Sequence, residues 1–226
     1  MSSLEIDSTP AARPAPVVLT GRFGRVERLH AARHGPDLWK ALAGYDQTWT
    51  YMSYGPFADA DEFSRWLEQR VALSDPFSYA VVGPDDNAVG IVTLMEIRPA
   101  MRVVEIGNIV YSPALQRTAL ATEAQWLLAC YAFETLDNRR YEWKCDALNS
   151  ASRHAALRLG FSFEGLFRQH MIVKGRNRDT AWYAMLDSEW PGRKPAFERW
   201  LARENFDAAG VQRMRLSEFQ SAFRFD

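Results

Sequence analysis

The sequence predicts a mixed α/β domain with mostly antiparallel strands and a helical C-terminal extension. Three observations predict it. Apolar residues make up 47% and aromatic residues 13% of the 226 residues, enough for one well-filled core and too much for disorder. Short β-rich runs alternate with stretches of helical periodicity. Polar turns, "PDDN", "RPA" and "KGRNRD", join successive β-rich runs directly, as hairpins do.

Taken in order, the first sixteen residues, "MSSLEIDSTPAARPAP", are rich in Pro, Ala and Ser and are expected as a flexible arm. They have neither a basic start nor an apolar middle, so they do not read as a secretory signal. "GRVERL" (24–29) is a short strand; "LWKALAGY" (38–45) and the amphipathic "ADEFSRWLEQRVAL" (60–73) are helices. "FSYAVVG" (77–83), "AVGIVTLMEI" (88–97) and "MRVVEIGNIVY" (101–111) are strands. A long helix runs from Leu115 to Phe133. "RRYEWKCDAL" (139–148) is a strand, and "SASRHAALRLG" (150–160) a helix closed by Gly160. "FSFEGLFRQHMIV" (161–173) and "TAWYAML" (180–186) form a hairpin, and "RKPAFERWLARENF" (193–206) a helix packing Phe197, Trp200 and Leu201. The expected division is an arm over 1–16, the main domain over 17–190 and the helical extension over 191–226.

Charge and composition exclude several functions. With 27 basic against 28 acidic residues, the net charge of −1 supplies no field for nucleic acid. No window approaches the roughly eighteen consecutive apolar residues of a membrane span. Cys130 and Cys145 form neither a disulfide framework nor a metal spacing, which fits a reducing cytoplasm.

The stretch "LQRTALATEA" (115–124) follows a strand and opens a helix. Free backbone N–H groups and the positive end of the helix dipole make such a start an anion site. Glycine is usual there because it tolerates unusual φ and lets a phosphate approach. Ala119 and Ala121 keep only the second property, so they serve only if φ stays negative. The other reading is an ordinary helix start capped by Thr118 or Thr122.

The surrounding order of residues carries a resemblance. "EIGNIVYSPALQRTALATEAQWLL" (105–128) resembles the coenzyme A segment of the GCN5-related N-acetyltransferases (GNAT), more narrowly the RimJ/RimL-type branch. That branch carries Glu-Ile-Gly on a strand, a Pro, Gln/Arg-x-x-Gly-x-Gly/Ala and Ala-Thr-Glu-Ala. Here Ala119 replaces the first loop glycine. Downstream, "CDALNSASRHAALRLGFSFEG" (145–165) is similar to the same branch's Asn-x-x-Ser, Leu-Gly-Phe and Glu-Gly. The resemblance covers roughly residues 17 to 187.

The resemblance implies the GNAT fold, a mixed and mostly antiparallel sheet splayed at the acyl-CoA site and flanked by helices, with acetyl-CoA as cofactor. Pantetheine amides would bond the backbone of Ile109, Val110 and Tyr111. The pyrophosphate would sit on the turn formed by Gln116, Arg117, Thr118, Ala119, Leu120, Ala121 and Thr122, on the N–H groups of Arg117 to Thr122. Asn149 would cap the helix beginning at Ser150, touch the cofactor arm, or do both. Ser152 would aim its hydroxyl at the thioester sulfur. Many family members use a tyrosine as proton donor, at a position that falls on Leu157 here, so Ser152 is the expected substitute. Cys145 matches a cysteine proposed as donor in ribosomal-protein enzymes of this branch, or is simply a small buried strand residue.

Something must also take a proton from the amine. Glu105 is the first choice and Glu164 the second; a glutamate used by some relatives falls on Met171, beside His170, a residue type that can itself serve as a base. Asp179 either binds a cationic substrate or closes the "KGRNRD" turn. In "YDQTWTYMSYGPF" (45–57), Trp49, Tyr51 and Tyr54 either wall the acceptor pocket or form a satellite core. The expected activity is acetyl-CoA-dependent transfer to a primary amine, a protein N-terminal α-amine or a small molecule, by direct attack in a ternary complex of a monomer or homodimer. The competing reading is a non-catalytic acyl-CoA-binding or protein-interaction module of the same fold.

Overall fold

A computed structural model of the protein describes residues 7–221. Eight strands form one sheet: β1 (Val18–Thr20), β2 (Arg25–Arg28), β3 (Phe77–Val82), β4 (Ala88–Arg98), β5 (Val103–Tyr111), β6 (Arg140–Asp146), β7 (Ser162–Val173) and β8 (Arg176–Leu186). Their order is β1-β2-β3-β4-β5-β6-β8-β7. Every neighbouring pair is antiparallel except β5 and β6, which are parallel. The helices are α1 (Ala31–Leu42), α2 (Ala60–Val71), α3 (Ala119–Cys130), α4 (Ser150–Arg158), α5 (Trp190–Leu201) and α6 (Leu216–Ser221).

Strand alternation divides the interior in two. Tyr79, Val81, Val104, Ile106, Tyr141, Trp143 and Tyr183 face α3 and α5, where they meet Leu128, Phe197 and Trp200. Ala80, Val82 and Ile91 face the other way, onto Leu38, Leu42, Phe63 and Leu67 of α1 and α2. Val110 belongs to this second layer although Val104 and Ile106 belong to the first. The parity changes because β5 carries an extra residue: Gly107 pairs with Thr93 and Val110 with Ile91. Asn108, at φ 47°, sits in that bulge. Bulges of this kind re-aim a strand next to a site.

Several expected boundaries move. The helix expected from Leu115 starts at Ala119 and, after Cys130, ends in a wider π-helical turn over Tyr131–Thr135. The helix expected over 38–45 begins at Ala31; Gly35 and Pro36 hide its first turns from a periodicity reading. That expected over 193–206 begins at Trp190, with Pro191 in the first turn where its missing N–H costs little, and stops at Leu201. Arg176–Asp179 extend β8 instead of forming loop, leaving Lys174 and Gly175 to turn the hairpin. Of the expected arm, residues 1–6 lie outside the described residues. Further along it, the chain is tied to the body. Ala11 and Ala12 donate their N–H groups to the carbonyls of Pro99 and Leu136 at 3.0 and 2.9 Å, and Ala15 donates to the Tyr131 hydroxyl at 3.0 Å.

Candidate active site

Strands β5 and β6 pair only from Val103↔Arg140 to Ile106↔Trp143. Beyond that point β5 stays with β4 and β6 with β8, so Gly107–Tyr111 and Lys144–Asp146 form two arms of a gap. Gly107 stands where the arms part, and a Cβ there would lie 2.6 Å from the Met95 sulfur and 3.2 Å from Glu105 Oε1. The Glu-Ile-Gly run thus makes room for its own glutamate. The arm is partly occupied at Tyr111, whose carbonyl accepts from Gln116 Nε2 at 3.0 Å and whose hydroxyl accepts from Gln125 Nε2 at 2.7 Å.

The turn into α3 answers the missing glycine. The residue with positive φ is Arg117, at 63°, while Ala119 already belongs to the helix. The alanines therefore meet no φ that excludes a side chain. Not all six expected donors are free, however. Thr118 N–H bonds Leu115 O at 3.3 Å, and Ala121 N–H bonds Thr118 Oγ1 at 3.1 Å. Among the described residues the amides of Arg117, Ala119 and Leu120 keep no protein acceptor. Thr118 is thus a cap, and Arg117, Ala119 and Leu120 are among the amides left for an anion. A concavity of about 270 Å³ opens beside them, lined by Leu115, Thr118 and Leu120 and by Phe23, Pro84 and Asp85 across from them. The Thr122 hydroxyl accepts from Arg158 Nη1 at 3.1 Å, which brings a cation from α4 to the first turn of α3. Sequence spacing gave no signal for that approach.

On the α3 and α4 side of the gap, Asn149 Oδ1 accepts from Ser152 N–H at 3.0 Å and caps α4; its amide nitrogen has no partner among the described residues. At the far end of α4, Gly160 takes φ 91°, and Phe161 N–H and Gly160 N–H close back on Ala156 and Leu157 carbonyls at 3.0 and 3.1 Å. That closure accounts for the Leu-Gly-Phe run. Ser152 Oγ accepts the indole N–H of Trp143 at 3.0 Å, and since the indole only donates, the serine keeps its own hydrogen to give. Cys145 is buried next to it; burial pushes its thiol up and the Ser152 hydroxyl pulls it partly back. Leu157, where the family's tyrosine was aligned, is exposed, and the inward-facing neighbour is the fully buried Ala156. α4 itself carries no tyrosine, and a phenol reaches it from β8, where the Tyr183 hydroxyl accepts from Arg153 Nε at 3.2 Å.

The opposite face carries the carboxylates. Glu105 is buried, and burial pushes its pKa up to about 7 against the pull of Lys144, whose Nζ lies 2.7 Å from Oε2. A base that titrates near neutrality suits proton abstraction at physiological pH. Glu142, also buried, takes Arg140 at 2.7 Å, Arg98 at 2.5 Å and Lys144 at 3.1 Å. Glu164 is held by both terminal nitrogens of Arg140, which keeps its carboxyl below the usual range. Because β6 alternates, Trp143 and Cys145 face Ser152 while Glu142 and Lys144 face Glu105. Ser152 and Glu105 therefore stand on opposite faces of the gap.

The remaining expected residues divide. Trp49 is buried among Tyr54, Phe57 and Trp66, with ring centroids 6.1, 5.1 and 5.7 Å away, so Trp49 and Tyr54 are satellite core. Tyr51 instead bridges toward the gap, its hydroxyl donating to Leu148 O at 3.1 Å, and Lys174 Nζ reaches Trp49 O at 2.9 Å from the hairpin tip. His170 Nδ1 lies 2.9 Å from Thr180 Oγ1, and its ring packs edge-on to Phe167 and Trp182. Met171 is exposed on β7. Asp179 lies within β8, where its carboxylate accepts from Gln169 N–H at 2.7 Å and Asn177 Nδ2 at 3.0 Å. It closes the hairpin bulge.

A sheet parted at its one parallel pair, with free amides at the adjoining helix start and a hydroxyl and a buried carboxylate across the gap, is the architecture of the GNAT fold. Residues 28–162 match the family model described as the acetyltransferase (GNAT) domain, and the chain belongs to that family. A solved structure of a GCN5-related N-acetyltransferase from Brucella melitensis is 46% identical and superposes with a TM-score of 0.93, covering 95% of this chain and 99% of that one. The ribosomal-protein-serine acetyltransferase of Escherichia coli (strain K12) is 26% identical over 169 residues, 71% of this chain and 93% of that one. YdaF of Bacillus subtilis (strain 168), whose name places it among ribosomal N-acetyltransferases, is 31% identical over 110 residues, 49% of this chain. The match spans 60% of the Bacillus protein's length.

Proposed function

We propose that the protein transfers an acetyl group from acetyl-CoA to a primary amine by direct attack in a ternary complex. The observation that carries this reading is the placement of Glu105 and Ser152 on opposite faces of the parted strands. Acetyl-CoA supplies an activated acyl group as a thioester. Glu105, directly or through water, takes a proton from the amine as its nitrogen bonds the acyl carbon. Ser152 gives a proton to the sulfur as the carbon–sulfur bond breaks, with the protonated Cys145 thiol beside it. The free amides of Arg117, Ala119 and Leu120, with Arg117 and Arg158 nearby, would hold the pyrophosphate, and the backbone of Ile109 and Val110 the pantetheine arm. Asn149 would add its free amide nitrogen.

The acceptor is a protein N-terminal α-amine or a small-molecule amine, met between Tyr51, His170 and the Glu105 face. The name of the Escherichia coli relative supports the polypeptide. The two free thiols support a cytoplasmic setting. Free-thiol release on adding acetyl-CoA with a panel of peptide N-termini and small amines tests the reading, alongside a thermal shift with acetyl-CoA alone. Thiol release with one acceptor class is the expected result. A shift without release makes the protein a binding module, and neither response removes the cofactor from the reading.

A further inference from the structure

The sequence run Glu142-Trp143-Lys144-Cys145 places a lysine beside the proposed base, where its side chain is only 11% exposed. Its ammonium is fixed from three directions. Glu105 Oε2 lies at 2.7 Å, Glu142 Oε2 at 3.1 Å, and the Trp182 ring lies across from it with its centroid at 4.1 Å. Glu142 does not need this cation, because Arg98 and Arg140 already bond it. The charged groups facing Glu105 are Lys144 and Glu142 from β6 and Glu96 from β4. Lys144 alone among them is a cation.

We infer that Lys144 is the positioning residue of the base, fixing the Glu105 carboxylate where β5 and β6 part and opposing the burial that would otherwise keep it protonated. The inference rests on the reading of Glu105 as base. Burial by itself favours the protonated carboxyl, which can take nothing from an amine. An ammonium in contact opposes that tendency, and the surrounding aromatic ring and second carboxylate keep the lysine from swinging away. Lys144 does not touch the acyl group or the amine in this role; it acts through Glu105.

Protein labelled with ¹³C at the glutamate carboxyls, titrated by NMR between pH 5 and 10, tests it. The Glu105 resonance is assigned by its disappearance in Glu105→Gln. The expected midpoint is near 7 in the native protein. It should rise by about one to three pH units in Lys144→Met, the range an adjacent opposite charge commands, and return toward the native value in Lys144→Arg. An unchanged midpoint in Lys144→Met overturns the inference. Should that variant fail to fold, a native-like midpoint in Lys144→Arg supports it and a midpoint raised as if no cation were present overturns it. The acidic limb of kcat/KM for whichever amine the panel identifies should follow the NMR midpoint. A limb that stays put while the midpoint moves removes Glu105 as base, and the catalytic role of Lys144 with it. A wild-type protein inactive toward every acceptor leaves the titration readable and counts against the transferase reading.

Discussion

The indole N–H of Trp143 donates to the hydroxyl oxygen of Ser152 at 3.0 Å, linking the strand beside the gap to the first turn of the helix that follows it. The bond fixes which way the serine can give its proton. Trp143→Phe keeps most of the ring packing and removes only the donor. One neutral hydrogen bond contributes about 0.5–1.5 kcal/mol, so kcat should fall roughly three- to tenfold while acetyl-CoA affinity holds. Ser152→Ala should cost more, on the order of a hundredfold in kcat, again without loss of cofactor affinity. Stopped-flow turnover with calorimetric binding separates the two effects. Equal loss of turnover and affinity in Ser152→Ala would reassign the serine to binding.

Methyl groups in the turn are a second point of test. Ala119 sits in the first turn of α3 and the positive φ falls on Arg117. Ala119→Gly should preserve or tighten acetyl-CoA binding, at a stability cost of no more than about 1 kcal/mol for glycine in a helix. Arg117→Gly should relieve the left-handed strain, worth about 1–2 kcal/mol, yet weaken binding through the lost charge. Calorimetry on both variants checks this. A large loss of affinity in Ala119→Gly would mean that the phosphates lie elsewhere.

How much of this was legible follows the physics of each feature. Strand periodicity and hairpin turns placed β3, β4, β5 and β6 closely, because alternation and turn chemistry are local properties. The parting of β5 and β6 and the site around it came only through resemblance, since no local pattern marks where two strands stop pairing. The capping of α3 by Thr118 was one of two open readings, and here a local hydroxyl accepts from the first turn of the helix while donating to the Leu115 carbonyl in the turn before it. Lys144, Trp143 and Arg158 were not singled out at all. Their roles depend on what faces them across strands and helices, and a lysine inside an alternating strand otherwise reads as its solvent-facing member. Trp49 shows the converse: an aromatic-rich loop announces burial but not whether a core or a ligand is buried.

Glu105 links the site to stability. Its carboxyl, ordinarily at 4.5, is raised in the folded protein to about 7, chiefly by burial. The fold therefore favours the protonated form. That contribution is fully present below pH 4.5 and is lost as pH climbs through 7. The loss is on the order of 3 kcal/mol. Glu105→Gln has no such dependence, so its Tm relative to wild type should improve between pH 5 and pH 8 while turnover drops by a hundredfold or more. Differential scanning calorimetry at the two pH values is the check. A Tm difference that does not change with pH would show that Glu105 is ionised as readily in the fold as outside it.

Two hydrogen bonds strap the aromatic loop, Tyr51 to Leu148 O and Lys174 to Trp49 O, on the side where the proposed acceptor would enter. Neither touches the turn into α3, and the second ends on the backbone carbonyl of Trp49 and not on the rings of the buried aromatic cluster around Trp66. Their removal should therefore loosen the acceptor wall without disturbing cofactor or core. Tyr51→Phe and Lys174→Met each delete one bond, worth about 1 kcal/mol when well made. If the full amount is used to order the wall, KM for a peptide acceptor should rise about fivefold in each, with kcat and acetyl-CoA affinity held. The two bonds anchor one loop at separate points, so the double variant should show less than the product of the single effects. Steady-state kinetics on the three variants decides it. Unchanged KM in all of them would move the acceptor away from this loop and toward the His170 side of the sheet.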